Sequence, residues 1–143
     1  MWPTVLVLVV AAALAAADVN AVMRDRQSTG DPTASTTTAG VFTAAQATRG
    51  EETYMATCVS CHPRGTYATP AFRATWTGRP LSELFDFVRE KMPKNDPGSL
   101  MPGEYAQLVA YILKINDAPV GDHELPSESE ALKKIRIELP TVQ

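Results

Sequence analysis

The stretch Cys58-Val59-Ser60-Cys61-His62 decides the reading of this 143-residue chain. Two thiols three positions apart, followed at once by an imidazole, form the C-x-x-C-H pattern of covalent c-type haem attachment. On one helical turn the two sulfurs can reach the two vinyl groups along one porphyrin edge. The next residue then turns its imidazole, through Nε2, toward the iron. Rival chemistries fit less well. A thioredoxin-like C-x-x-C would lie near a βαβ pattern, and the chain has none. A structural zinc needs four ligands, and beyond Cys58, Cys61 and His62 only His123, far off in an acidic tail, could join. There is no GxGxxG, no Walker lysine loop and no HExxH.

The flanking sequence reads as short helices. Thr43 and Gln46 fit a capping box, with Phe42 before them as a hydrophobic staple. The helix that follows carries Ala47, Gly50 and Tyr54 on one face and should run to about Ala56. A second helix follows Pro80, with Leu81, Leu84, Phe85 and Val88 as its apolar stripe. It must stop before Pro93, because a residue preceding proline is pushed out of the helical region. A third starts with Pro102 at its first position, where a missing N–H costs nothing. Tyr105, Leu108, Val109 and Ile112 line its buried face, and Asn116, Asp117 and Pro119 end it. No period-2 run appears, so the expected fold is all-α, three to four short helices around one covalent haem. A domain this small usually needs a staple, and the haem would be that staple.

With His62 as proximal ligand, its Nδ1–H needs an acceptor to hold the ring. The backbone carbonyl of Pro70 is the candidate; the alternative is that Pro70 only forms a turn. Donors for the other face of the iron are Met55, Met92, Met101 and His123. Met55 precedes Cys58 on the attachment helix and cannot reach that face. Met92 sits where the second helix stops, and its loop can lie over the distal face. Closing the 30 positions from His62 to Met92 costs about (3/2)RT ln 30, roughly 3 kcal/mol plus a constant. Met92 is the preferred sixth ligand and Met101 the alternative; for either, the competing role is a plain core side chain.

These residues carry a resemblance. The chain is similar, over about Val41 to Gly121, to class I c-type cytochromes, small electron-transfer proteins with His/Met haem ligation. The matches are Gly50, Tyr54 and Cys58-x-x-Cys61-His62; Lys91-Met92-Pro93; and Leu108-Val109-Ala110-Tyr111-Ile112-Leu113. The resemblance implies that the first and last helices cross with Gly50 and Tyr54 against Leu108 and Tyr111. More narrowly, Met92-Pro93-x-x-x-Pro97-Gly98-Ser99-Leu100 resembles the distal loop of cytochromes associated with quinoprotein alcohol dehydrogenases. Ala118-Pro119-Val120-Gly121 and Glu124-Leu125-Pro126 also resemble their carboxyl tails. That resemblance places Trp76 at the haem edge, its indole N–H available to a propionate; the alternative is an ordinary core aromatic. Two positions depart from the pattern. Pro63 follows the haem histidine where glycine is common, and Met101 stands where a serine or threonine cap is usual.

The implied function is one-electron transfer, with the iron cycling between Fe(III) and Fe(II), and not catalysis. Histidine and methionine together raise the potential and leave no open site. The expected partners are redox proteins: a donor dehydrogenase, of which this chain could be the electron-accepting subunit, and an acceptor oxidase or second cytochrome of a respiratory chain. Two other classes are weighed against it, a haem enzyme or gas sensor with an open sixth position, and a haem-free thiol redox protein. A formal net charge of -3 makes nucleic acid an unsuitable partner.

The outer segments complete the organisation. Val5 to Ala17 is an uninterrupted apolar run of 13 residues, short of the about 20 that span a bilayer. It ends in small residues suited to signal cleavage. Residues 1–17 therefore read as a signal peptide, or else as an uncleaved anchor, the only route to a membrane association. The protein is expected to be exported and periplasmic. Residues 18–40 read as a flexible linker, since Ser28 to Gly40 is all small, polar or helix-breaking. Residues 41–120 would be the cytochrome c domain and 121–143 an extension. Its Leu125, Leu132, Ile135, Ile137 and Leu139 could pack on that domain or on a partner. Arg64, Arg73, Arg79, Arg89, Lys91 and Lys94 suggest a weakly positive rim around the haem, to be weighed against a plain mixed-charge surface.

Overall fold

The structure, a computed structural model, describes residues 35–140. The apolar run at residues 5–17 and most of the linker reading lie outside the described residues. The chain divides into two units, Met1–Asp31 and Pro32–Gln143, and all described residues belong to the second.

Four helices form the body. Helix α1 (Ala44–Thr57) starts where Thr43 is extended and its hydroxyl accepts from the Gln46 amide at 3.1 Å. Half of the expected capping box is therefore made. The other half is not, because the Gln46 side chain turns inward instead: its Nε2 donates to the Leu125 carbonyl at 2.9 Å and its Oε1 accepts from the Leu125 amide at 2.7 Å. A buried amide that satisfies two backbone groups of a distant segment outweighs one exposed helix-end contact. Helix α2 (Pro70–Trp76), for which the sequence shows no clear periodicity, is capped by Thr69, whose hydroxyl accepts from the Phe72 amide at 3.2 Å. Helix α3 (Leu81–Lys91) buries Leu81, Leu84 and Phe85 and stops at Met92, which is extended before Pro93 as expected. Helix α4 (Pro102–Lys114) buries Tyr105, Leu108, Val109 and Ile112. Met101 supplies no side-chain cap, but the Glu104 carboxylate accepts from the Met101 amide at 2.8 Å, so the helix start is not left bare.

The expected crossing of the first and last helices is present. Gly50 is buried in it, and a Cβ there would lie 1.9 Å from the Gln107 carbonyl oxygen and 3.0 Å from the Tyr111 Cβ. Only glycine allows two backbones this close. The Tyr54 and Tyr111 rings meet 5.1 Å apart in the same seam.

The residues after Gly121 pack back on the domain. Leu125, Leu132, Ile135 and Ile137 are all buried in the common core, and each contributes roughly 1.5–3 kcal/mol relative to exposure. A short helix α5 (Ser129–Leu132) leads into strand β2 (Ile135–Arg136), which pairs in parallel with β1 (Ser35–Thr36). The last six residues of the stretch that reads as linker, 35–40, are thus part of the fold. Thr37 is fully buried; its hydroxyl donates to the Glu138 carbonyl and accepts from the Glu138 amide at 2.8 Å. Composition misses this because these small polar residues gain their partners from about a hundred positions away. Two-residue strands leave the all-α architecture unchanged. No helix among the described residues is long and apolar enough to cross a membrane.

Candidate cofactor site

The end of α1 builds one wall. Cys58 closes the helix with its amide on the Tyr54 carbonyl at 2.8 Å. The Cys61 and His62 amides then both bond the Cys58 carbonyl, at 3.2 and 2.9 Å. The chain so makes one further turn, and both thiols and the imidazole come to the same cavity. That cavity has a volume of about 790 Å³ and is lined by Cys58, Cys61, His62, Trp76 and Met92, with apolar walls from Phe72, Leu84, Val88, Leu108 and Ile112. This lies within the about 300–1,000 Å³ of small-molecule and cofactor sites, and its apolar lining suits a macrocycle. Both cysteines are free thiols. Two thiols and an imidazole on a largely apolar cavity fit a covalent haem, and the Met92 thioether adds a donor suited to iron.

The other candidates separate by position. Met101 is 69% exposed and does not line the cavity. Met55 is exposed and also outside it. Trp76 is buried and lines the cavity, with the Arg79 guanidinium stacked 4.6 Å from its ring and Phe87 at 5.8 Å. Pro70 is the exposed first residue of α2 and lies outside the cavity lining.

Three tyrosines shape the site in ways the sequence did not reveal. The Tyr54 hydroxyl donates to the His62 carbonyl at 2.6 Å, pinning the backbone of the imidazole-bearing residue to α1. The Tyr105 hydroxyl donates to the Met92 carbonyl at 2.9 Å. Tyr67 packs its ring 5.4 Å from His62 and 6.3 Å from Tyr54. Burial, reinforced by Tyr54 and Cys58, pushes the Tyr67 phenol up to about 12. Burial, with smaller contributions from Tyr111 and Cys58, also raises the Tyr54 phenol. Both phenols are thereby held further from ionisation, in keeping with the donor role of the Tyr54 hydroxyl. Burial likewise raises the Cys58 thiol. Tyr54 and Tyr105 were legible as core residues, and the only clue to more is that a buried tyrosine hydroxyl must find a partner.

The basic residues expected around the site are largely neutralised. Arg64 pairs with Glu51, Arg73 with Asp117, Arg79 with Glu83 and Arg89 with Asp86, at 2.5–3.2 Å. Among the described residues, Lys91 and Lys94 make no ion pair, and Lys94 lies on the cavity lining.

Residues 45–112 match a family model described as cytochrome C oxidase, cbb3-type, subunit III. The match covers the helix before the thiols, the attachment segment, the methionine loop and most of α4. The matched segment is similar to a c-type cytochrome domain, the kind that holds haem c and exchanges electrons with redox protein partners. No curated protein and no solved structure matches the chain.

Proposed function

We propose that this chain is a single-haem, class I cytochrome c with His62 and Met92 as axial ligands. Its donor would be an exported dehydrogenase of the quinoprotein alcohol dehydrogenase kind, and its acceptor an oxidase or a second cytochrome. One observation carries the reading: Met92, 30 positions beyond His62, lines the same apolar cavity as Cys58, Cys61 and His62. The name of the matched family, an oxidase subunit, is in keeping with an oxidase at the accepting end.

When bound, haem c would supply one-electron exchange between Fe(III) and Fe(II). The residues of the chain do the rest. Cys58 and Cys61 would hold the group through thioethers. His62 Nε2 and Met92 Sδ would both hold the iron and leave it no open site, which would favour outer-sphere transfer over oxygen chemistry. Pro70 would accept from His62 Nδ1–H, and the Trp76 indole would serve a propionate. Tyr54 and Tyr105 fix the backbones of the two ligand residues. With the group bound, the apolar part of the lining would keep water from it and so keep reorganisation small. The segment 1–17 would direct export to the periplasm, by cleavage or as an anchor.

Intact mass and visible spectra of the full chain, expressed in a host that matures c-type haem, test this. The expected result is the mass of one covalent haem, loss of the first residues, a sharp reduced α-band and a sulfur–iron charge-transfer band in the oxidised form. A high-spin haem that binds CO readily would replace the reading with an open-site sensor or enzyme. A colourless, folded product would replace it with thiol redox chemistry.

A further inference from the structure

The loop between α3 and α4 is lightly held. Its residues from Lys94 to Ser99 are exposed. It is braced internally by two turns only, the Asp96 amide on the Pro93 carbonyl at 2.9 Å and the Ser99 amide on the Asp96 carbonyl at 3.3 Å. Tyr105, 1% exposed, reaches it from the first turn of α4. Its hydroxyl donates to the Met92 carbonyl at 2.9 Å and accepts from the Leu100 amide at 3.4 Å. One oxygen therefore ties both ends of the loop to the helix. Among the described residues no other hydrogen bond joins 92–100 to α4.

We propose that Tyr105 is the positioning residue for the distal ligand: by clamping both ends of the 92–100 loop it holds the Met92 thioether in place for the iron. This deepens the function proposed above and rests on Met92 being the sixth ligand. A thioether is a weak, neutral donor on a flexible three-bond side chain, so its occupancy depends on how far the backbone beneath it is fixed in advance. A group that orients a ligand tunes the site almost as strongly as the ligand. The hydroxyl, not the ring, carries this role. As core packing alone, a phenylalanine ring would serve equally well.

The test is Tyr105→Phe in the haem-loaded full chain, with imidazole titrated as competing ligand into the oxidised protein. The readout is the imidazole concentration that removes half of the sulfur–iron band. That concentration is expected to fall at least fivefold, since the substitution removes both hydrogen bonds of the clamp and the loss of one alone is worth about fivefold in the ligand-on population. Ile137→Val removes one methylene at a buried tail position and is expected to cost about as much stability as a lost hydrogen bond; it serves as control and should leave the concentration unchanged. A Tyr105→Phe value equal to wild type, or a shift matched by Ile137→Val, overturns the proposal and leaves Tyr105 as a core tyrosine. A wild-type protein with covalent haem but no sulfur–iron band would instead overturn Met92 as ligand, and this proposal with it.

Discussion

Substituting Gly50 by alanine puts two effects of opposite sign in competition. In the middle of an exposed helix the change would stabilise by about 1 kcal/mol through helix propensity alone. In this fold the new methyl would sit 1.9 Å from the Gln107 carbonyl oxygen and 2.5 Å from its carbon. That is about 1.5 Å short of the 3.4 Å at which ordinary contact begins, and the obstacle is backbone, which a close-packed interior cannot move aside. α1 and α4 must part along the seam where Tyr54 meets Tyr111, loosening the helix that carries the thiols. Overpacking of this kind costs about 1–3 kcal/mol and occasionally more, and a clash against backbone belongs at the upper end. After the propensity gain, the net loss should be about 2 kcal/mol, a fall in Tm of roughly 8–16 °C for a domain near 100 residues. The assay is thermal and denaturant unfolding of the haem-loaded protein, with Gly103→Ala alongside. Gly103 lies in the first turn of α4, where an added methyl would meet nothing within 4 Å, and its substitution should be neutral or stabilising. Gly50→Ala as stable as wild type would refute the close crossing.

Other outcomes follow from the same contacts. Gln46→Ala leaves the Leu125 amide and carbonyl without partners in a buried place. It should cost about 2–4 kcal/mol, and faster exchange of the Leu125 amide should accompany the loss seen by denaturant unfolding. Met92→Ala should abolish the sulfur–iron band of the oxidised holoprotein, whereas Met101→Ala, at a side chain 69% exposed, should leave it intact; the reverse pattern would move the ligand to Met101. Because four arginines of the expected positive rim are paired with carboxylates, stopped-flow reduction by an anionic partner should slow only about two- to fivefold between low and high salt. Lys91→Ala with Lys94→Ala should remove most of that dependence.

The parts of the molecule that could be read in advance are those whose causes are local. Cys58, Cys61 and His62 reach one cavity because they fall on one turn. Helices α1, α3 and α4 follow from apolar spacing and from Pro80, Pro93 and Pro102, each of which acts on its immediate neighbours. Gly50 and Tyr54 could be assigned to a helix crossing through the family resemblance. By contrast, α2 has seven residues and too few apolar positions to show a period. The Thr43 and Gln46 box was half right because the glutamine had a better partner 79 positions away.

Sequence by itself determined the helical class, the C-x-x-C-H spacing and the residue types able to ligate, since these depend on neighbours within a turn or two. Tertiary structure alone decided which methionine faces the cavity, which carbonyls Tyr54 and Tyr105 hold, and that the 35–40 segment and the tail close on one another. Each of these is a contact between residues far apart in the chain. No pattern of spacing encodes such a meeting, because it exists only once several helices have packed and the buried polar groups have been forced to find one another.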